Sequence, residues 1–580
     1  MDDTKSKTRQ DWKPFKQLIK ITKLPYGWIL LCVVASLLVA ELNLLFPSYT
    51  EQIASGDFST KIIVLTIVVL IAGAFADTLY QTTCMIVKGM ISKRFRNALW
   101  KKVLHLPISY YREDGTSEVI SRVTEDTTKL SDFLTDDLAG LVSNIYTLVG
   151  TTVILLSYDW HLVLAEALII PLIIVMGIIK GRVDFKWNDI LQMKVADLTS
   201  GIAEILTNVP LFKSFVQEEK ATEQSEKLTN ELYKTKMKMT WISNGFSSIS
   251  TVLGVIETLI VIFFGIYLIR KGIITVSIWV AFYLYSTNLT GCVDTMMTIW
   301  NDLKTAQGAM YRISELVTQE DEPYDKGEEF ISNASDISFE NVSFAYENKQ
   351  VLKDLNFKIE HGKTTAIVGM SGAGKSTIMN LLERFYQPTS GNICYGSKNI
   401  NDFNLHSWRK AIGYVEQDAY LIDGTLRDNL LYYLDQTLTD EELLQKMSEI
   451  GMSNLIDELE SGLDSQVGEN GNNLSGGQKQ RICIARLLLD PKEIILLDEV
   501  TSNLDAQAER NTDDALEKLL KDKTVIMVTH KIETVVDADN IIVINNGSIV
   551  DSGSYEKLMN ECELFKDMWD KQVNVGGIAQ

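Results

Sequence analysis

The residues with the clearest chemistry lie in a glycine-rich loop in the second half of the chain. Thr364–Val368 is a short apolar run that predicts a buried strand, and the sequence GMSGAGKST follows it directly. This GxxxxGK[ST] spacing is typical of phosphate-binding loops, because the glycines let backbone N–H groups surround phosphate oxygens at the start of a helix. The predicted phosphate-binding residues are Gly369, Ser371, Gly372, Ala373, Gly374, Lys375, Ser376 and Thr377.

Two carboxylates complete a predicted hydrolytic site. Lys375 supplies positive charge to the terminal phosphates, and the Ser376 hydroxyl is a predicted Mg²⁺ ligand. A second apolar run, Ile494–Leu497, ends in Asp498 and Glu499. We expect this strand to lie buried beside the phosphate-loop strand. Asp498 would then hold Mg²⁺, and Glu499 would polarise the attacking water.

The sequence LSGGQ at Leu474–Gln478 separates this half of the chain from other phosphate-loop enzymes. From about Ile337 to Met559 the chain resembles the ABC ATPase family. The resemblance implies ATP and Mg²⁺ as ligands, with two such domains clamping two ATP molecules. It also implies that the LSGGQ residues meet the γ-phosphate held by the opposite subunit: Ser475, Gly476, Gly477 and Gln478. The glycine pair agrees with this role, since it exposes N–H groups at a helix start.

The same resemblance assigns roles to four more residues. It implies that Tyr346 stacks on adenine and that Gln417 senses both Mg²⁺ and the membrane domain. It further implies that Asp505 links the two sites and that His530 contacts the γ-phosphate. From the residues alone, the less favoured alternatives are that Tyr346 is an aromatic side chain of an edge strand and that His530 is a structural residue at a strand end.

The first half of the chain predicts membrane spans. Hydrophobic residues make up 46% of the 580 residues although 23% are charged, which indicates one apolar half and one polar half. Six apolar stretches approach the length of about 20 residues that a helix needs to cross a bilayer. They are Trp28–Phe46, Ile62–Cys84, Leu138–Ser157, Leu162–Ile179, Ser247–Ile269 and Ile274–Met297.

Basic residues predict the orientation of these spans. Lysine and arginine are frequent before the first span and after the second, whereas Pro47–Thr60 and Tyr158–His161 contain none. By the positive-inside rule, both termini, both long connections and the ATPase domain face the cytoplasm, with Arg270 and Lys271 as exceptions. Asp11–Lys23 mixes apolar residues with lysine and predicts an interfacial helix, with a solvated tail as the alternative.

The spacing of the spans resembles the exporter-type (type IV) ABC half-transporters. Leu106–Asp126 and Asn208–Lys220 resemble the coupling segments of that family, and Ala306–Leu316 resembles its connector after the last span. Each is also readable as an ordinary cytoplasmic helix. The expected fold is an N-terminal all-α six-helix transmembrane domain at 1–318, a linker at 319–336 and a C-terminal α/β phosphate-loop ATPase domain of the ABC type at 337–580.

Charge limits the partners. Lysine and arginine total 55 against 76 aspartates and glutamates, a net charge of −21, which disfavours nucleic-acid binding. A soluble ABC ATPase that acts on nucleic acid or the ribosome is therefore the disfavoured alternative. The six cysteines have no CxxC spacing and are expected to be reduced.

The expected function is ATP-driven transport across the cytoplasmic membrane by alternating access. Export of an amphiphilic compound, a peptide or a lipid by a dimer of half-transporters is favoured. Import of siderophore-like cargo is the alternative, because direction is not readable from the residues. A homodimer is favoured and a heterodimer stays open. Acidic residues within the spans either bind cationic or amine-bearing cargo, or they hydrate the cavity or tie helices together: Glu41, Asp77, Glu166, Glu257 and Asp294.

Overall fold

The computed structural model describes residues 18–20, 22–113, 115–347, 349–432, 434, 438–450, 452–500, 516, 520–529 and 532–576. The chain divides into two compact units. The first comprises Met1–Leu106 and Asp114–Glu320, and the second comprises Pro107–Glu113 and Asp321–Gln580. The predicted site residues Asp505 and His530, and most of the predicted interfacial helix, lie outside the described residues.

The regular elements described in the first unit are helices. They are α1 (Tyr26–Ala54), α2 (Thr60–Val103), α4 (Thr116–Ser121), α5 (Thr127–Asp132), α6 (Leu138–Tyr158), α7 (Trp160–Thr207), α8 (Val209–Ser214), α9 (Glu218–Arg270) and α10 (Val276–Thr318). Two π-helical turns, Arg122–Asp126 and Phe133–Asp137, join α4, α5 and α6 into one continuous rod. The short helix α3 (Ile108–Glu113) belongs to the second unit.

Long helices carry all six predicted spans. Among the described residues, four segments are long and apolar enough to cross a membrane: Tyr26–Ala54, Thr60–Val103, Glu118–Tyr158 and Glu218–Arg270. The other two predicted spans fall within α7 and α10. The last begins two residues later than predicted, because the Thr275 side chain accepts the N–H of Ile278 and so starts α10 at Val276. The predicted helical membrane domain is confirmed.

Acidic side chains connect neighbouring helices of the first unit. The Tyr146 hydroxyl donates to Glu41 Oε2 at 2.5 Å and joins α6 to α1. Glu257 on α9 is only 6% exposed and accepts hydrogen bonds from the hydroxyls of Ser286 and Thr290 on α10. For Glu41 and Glu257, these contacts favour the helix-tying alternative over direct binding of cargo.

The second unit combines two sheets with peripheral helices. Its strands are β1 (Ile337–Tyr346), β2 (Lys349–Ile359), β3 (Thr364–Gly369), β4 (Ser390–Tyr395), β5 (Lys398–Asn399), β6 (Ile412–Val415), β7 (Ile494–Asp498), β8 (Thr524–Val528), β9 (Asn540–Asn545) and β10 (Ser548–Gly553). Its later helices are α11 (Lys375–Leu382), α12 (Leu405–Lys410), α13 (Leu426–Leu431), α14 (Asp440–Glu449), α15 (Ser453–Asp457), α16 (Gly476–Leu489), α17 (Tyr555–Glu561) and α18 (Glu563–Gly576).

The strand order places the predicted site residues at one edge of the larger sheet. An antiparallel sheet has the order β2-β1-β4-β5, and a six-stranded sheet has the order β10-β9-β3-β8-β7-β6. In the larger sheet, β9, β3, β8, β7 and β6 are parallel, so their carboxyl ends share one edge. Ligands of open α/β sheets bind at this edge. The expected α/β architecture is confirmed.

One prediction about this sheet is wrong. The strand that carries Asp498 was expected beside the phosphate-loop strand, but β8 lies between β3 and β7 and pairs with both. All three strands are apolar and nearly fully buried, so they present equivalent surfaces to a neighbour. Hydrophobic patterning therefore identifies these strands without specifying their order.

Apolar clusters cover both faces of the larger sheet. One cluster lies between the two sheets and includes Phe339, Ile367 and Trp408. Another packs α13 to α16 against β7 and β8, with Leu443 and Leu497 at its centre. The sheet edge that holds the predicted site therefore rests on a rigid core.

Candidate nucleotide site

The phosphate loop is a strand–loop–helix unit. β3 is buried and delivers Gly369, and α11 begins at Lys375. Gly372 and Gly374 have φ values of 79° and 104°, in the left-handed region that glycine enters without steric cost. A Cβ on Gly374 would also lie 2.6 Å from Leu352 Cδ2, so the leucine side chain would have to shift. The loop therefore turns its backbone N–H groups toward the start of α11, where an anion is favoured.

Lys375 lies inside this loop. The side chain is 6% exposed, and its Nζ donates to the carbonyl oxygens of Gly369 at 2.9 Å and Met370 at 3.2 Å. Burial lowers the pKa of the Lys375 amine, while the carboxylates of Glu499 and Asp498 act in the opposite direction. The amine thus contacts the loop carbonyls and lies within electrostatic range of Glu499 and Asp498.

Asp498, Glu499 and Gln417 lie at the carboxyl edge of the larger sheet. Asp498 is the last residue of β7 and is 3% exposed. Glu499 has φ +53°, an unusual value for a residue other than glycine, and its N–H donates to the carbonyl of Val528 at 2.9 Å. Gln417 follows β6 and donates from Nε2 to Glu499 Oε2 at 2.9 Å. The left-handed turn at Glu499 therefore directs two adjacent carboxylates into different surroundings.

The donor set fits Mg²⁺ and a triphosphate. The Ser376 hydroxyl at the start of α11, the Asp498 carboxylate and the Gln417 side-chain amide oxygen are all hard oxygen ligands, which Mg²⁺ prefers. The glycine loop and Lys375 supply N–H groups and one positive charge for phosphate oxygens. Ser376 and Ser371 are exposed, as contact with a nucleotide requires.

Tyr346 lies at the end of β1, beside the phosphate-binding helix. Its hydroxyl accepts a hydrogen bond from Asn380 Nδ2 of α11 at 3.3 Å. Its ring makes edge contacts with Phe344 and Tyr386, at centroid distances of 4.7 and 5.1 Å. The predicted stacking on adenine stays a prediction, and these ring contacts hold the side chain next to the loop.

The LSGGQ segment forms the start of a helix, as the glycine pair predicts. Ser475 Oγ accepts the N–H of Gln478 at 3.2 Å, while Gln478 Oε1 accepts the N–H of Ser475 at 2.9 Å. This reciprocal capping box begins α16 at Gly476. Ser475 and Gly476 are exposed. The start of α16 is thus an open surface with N–H groups and a positive helix end.

Sequence reasoning missed the residues that end the phosphate-binding helix. Trp408 Nε1 donates to the carbonyl of Leu382 at 2.8 Å, and Arg409 Nε donates to the carbonyl of Glu383 at 2.9 Å. Both carbonyls lie at the C-terminus of α11, where helical partners are missing. In the sequence, only the adjacent Trp408 and Arg409 could have indicated these contacts. The carbonyls that they bind lie 26 residues earlier, so no local pattern predicts the pairing.

Comparison with known proteins agrees with both halves of the chain. Residues 29–293 match the family model for the ABC transporter transmembrane region, and residues 352–502 match the model described as ABC transporter. A multidrug resistance ABC transporter ATP-binding and permease protein from Lactococcus lactis subsp. cremoris is 31% identical over 97% of this chain and 96% of its own length. The chain belongs to the ABC transporter family. The transporter is therefore a membrane protein whose ATPase activity is coupled to transport.

Other relatives extend the comparison. An ATP-dependent lipid A-core flippase from Mannheimia succiniciproducens is 28% identical over 92% of the transporter and 92% of its own length. The structure of a bacterial Atm1-family ABC exporter with ATP bound has a TM-score of 0.83 at 23% identity and covers 94% of the transporter. That likeness establishes the fold. The chain combines one membrane region with one ATPase region, a half-transporter architecture that implies dimerisation.

Proposed function

We propose that the transporter is a homodimeric exporter of amphiphilic molecules that hydrolyses ATP at Glu499. The observation that carries the proposal is the 2.9 Å hydrogen bond from Gln417 Nε2 to Glu499 Oε2 at the sheet edge that also holds Lys375. It gives one carboxylate a fixed position beside the phosphate loop, where a base for the attacking water is needed.

Each residue then has a defined task in hydrolysis. Lys375 and the loop N–H groups hold the terminal phosphates, and Ser376, Asp498 and Gln417 are suited to hold Mg²⁺. Bound Mg²⁺ would neutralise charge on the phosphate oxygens. Glu499 orients the attacking water and receives its proton, and Gln417 keeps the carboxylate pointed at that water. Tyr346 and His530 are assigned to adenine and to the γ-phosphate by the family resemblance.

Export is supported by the names of the relatives. The Lactococcus protein is described as a multidrug resistance ABC transporter and the Mannheimia protein as an ATP-dependent lipid A-core flippase. Neither relative supports the import alternative. We therefore assign the transporter to the cytoplasmic membrane, with amphiphilic compounds, peptides or lipids as its cargo class.

Dimerisation is supported by exposed apolar and polar surfaces of single units. Ser475 and Gly476 at the start of α16 are exposed, which suits contact with a nucleotide held by a second chain. In the first unit, three apolar side chains of the second predicted coupling segment, Asn208–Lys220, are exposed: Leu211 (53%), Phe215 (68%) and Val216 (80%). Apolar side chains this exposed favour coverage by another protein surface. Asp505 is assigned to communication between the two sites.

The test is ATP hydrolysis by the purified chain in lipid bilayers, beside a Glu499→Gln variant. We expect the variant to bind ATP and to lose turnover by a factor of about 100 or more, since it lacks the catalytic carboxylate. Glu493→Gln, an exposed carboxylate just before the same strand, serves as the matched control. Near-normal turnover in Glu499→Gln contradicts the assignment.

A further inference from the structure

A single arginine joins the segment after the last membrane helix to the phosphate-binding helix. Arg409 on α12 makes a bidentate ion pair with Glu322, through Nη1 to Oε2 at 2.8 Å and Nη2 to Oε1 at 2.9 Å. The side chains are 19% and 8% exposed. A planar, largely buried pair of this kind is specific in geometry and costly to break, because either partner alone would remain a buried charge.

The other donors of Arg409 go to the end of α11. Nε donates to the carbonyl of Glu383 at 2.9 Å, and Nη2 donates to the carbonyl of Arg384 at 3.2 Å. Nη1 also donates to the Tyr324 hydroxyl at 3.4 Å. Three of these five hydrogen bonds thus go to Glu322 and Tyr324, which follow α10. The other two go to carbonyls at the C-terminus of α11, the helix that begins at Lys375.

The segment around Glu322 is attached along its length. Residues 321–336, predicted as a linker, belong to the second unit. The N–H of Glu328 donates to the carbonyl of Asp402 at 2.9 Å, and the N–H of Phe330 donates to Ser407 Oγ at 2.8 Å. Gly327 has φ +99°, and a Cβ there would lie 2.5 Å from the Asp402 oxygen. These contacts attach the chain that follows Glu322 to α12 and to the residues just before it.

The Glu322–Arg409 pair lies close in sequence to the end of the last membrane helix on one side and to the catalytic edge of the larger sheet on the other. α10 ends at Thr318, only a few residues before Glu322. Tyr111 of α3 lies near the same pair, and burial together with the charges of Tyr324 and Glu322 raises the pKa of its hydroxyl. On the catalytic side, α12 runs directly into β6, which is followed by Gln417, the partner of Glu499.

We propose that the Glu322–Arg409 pair is a latch that transmits nucleotide binding from α11 to the end of α10. Arg409 is a positioning residue: its hydrogen bonds go to Glu322, to Tyr324 and to the carbonyls that follow the phosphate-binding helix, and it acts through the C-terminus of that helix. Displacement of α11 on ATP binding shifts Arg409, and Arg409 carries Glu322 and the following chain with it. The latch deepens the proposed function, on which it rests, by naming how the site is coupled to the membrane unit.

Hydrogen–deuterium exchange of the full chain in phospholipid nanodiscs tests the latch, with Mg-ATP as the probe. The reference carries Glu499→Gln so that ATP binds without turnover, and Glu322→Gln is added to it. We expect ATP to slow exchange in residues 369–382 equally in both chains. With Glu322→Gln, the ATP-dependent change in the exchange rate of residues 300–318 should fall by about five-fold or more. Five-fold is the lower end of the usual coupling between two sites.

Glu329→Gln on the same reference is the matched control, because Glu329 is an exposed carboxylate of the same segment. It should behave as the reference does, and all three chains should melt at similar temperatures. An unchanged response at 300–318 in Glu322→Gln overturns the latch alone. Loss of the response at 369–382 also overturns it, because Glu322 would then act on binding itself. A reference chain that responds at 369–382 but never at 300–318 contradicts the transport proposal together with the latch.

Discussion

At the scale of single residues, burial determines which side chains carry charge near the phosphate loop. Glu383 follows α11 and is 5% exposed, and its burial raises the pKa of the carboxyl group to about 7 from 4.5. The positive charge of Arg409 opposes this shift, and the negative charge of Glu416 adds to it. Glu383 therefore stays protonated in the folded chain at pH values where the unfolded chain has released that proton.

Glu383→Gln should make the ATPase unit less sensitive to pH. Because the folded chain binds the proton more tightly, the free energy of unfolding of the natural chain falls as pH rises from 4.5 to about 7. Gln imitates the neutral acid, so the variant should melt like the natural chain near about pH 5 and higher near about pH 8. We expect a gain of about 2–4 °C or more at the higher pH.

Thermal unfolding of the detergent-solubilised chain at both pH values measures this. Glu329→Gln, at an exposed position of the same unit, should show no such difference. Equal melting of Glu383→Gln and the natural chain at both pH values would mean that the carboxyl group is charged in the folded protein.

At the scale of elements, caps fix where the functional helices begin. Ser475 and Gln478 form a capping box at α16, and Thr439 and Glu442 form the same arrangement at α14. Both boxes satisfy N–H groups that a helix start leaves without partners. They are locally equivalent, but only the start of α16 carries the glycine pair assigned to a nucleotide.

Substitutions at these two caps distinguish a loss of stability from a loss of ATPase activity. Ser475→Ala and Thr439→Ala should each lower the free energy of unfolding by about 1 kcal/mol, the usual cost of a lost cap. Only Ser475→Ala should also reduce ATP hydrolysis strongly, because only that cap is proposed to meet the γ-phosphate. Urea unfolding and ATPase rates of the two variants provide the comparison, and equal activity in both would remove Ser475 from the site.

In the whole molecule, the proposed homodimer builds each ATP site from two chains. Lys375 opens α11 in the phosphate loop, whereas Ser475 and Gly476 form a separate exposed surface at the start of α16. In a two-fold dimer, each site would take Lys375 from one chain and Ser475 from the other. Two variants that are inactive alone should then complement each other.

Co-expression of Lys375→Ala with Ser475→Ala chains tests this arrangement. Random pairing makes half of the dimers mixed, and each mixed dimer has one intact site, so about a quarter of natural activity should return. Two tags, purified in sequence, isolate the mixed dimers. Activity that stays absent in pure mixed dimers contradicts a shared site, or shows that both sites must work together.

Local sequence was sufficient for the parts whose chemistry depends on neighbouring residues. The phosphate loop, the buried strands before it and before Asp498, and the helix start at Gly476 each follow from spacing over a few positions. The apolar stretches likewise predict membrane helices, because a bilayer demands continuous apolar length. Family membership follows from the same short motifs.

Contacts between distant segments needed the tertiary structure. Hydrophobic patterning did not indicate that β8 separates β3 from β7, since all three strands are similarly apolar. Neither the Gln417–Glu499 hydrogen bond nor the Glu322–Arg409 pair has a local signal, as each joins residues more than 80 positions apart. The residues alone therefore identified the chemical groups of the transporter and the main elements that carry them, though not every boundary, since α10 begins two residues later than predicted. Only the fold decided which of those groups meet, because packing and strand order depend on the whole chain at once.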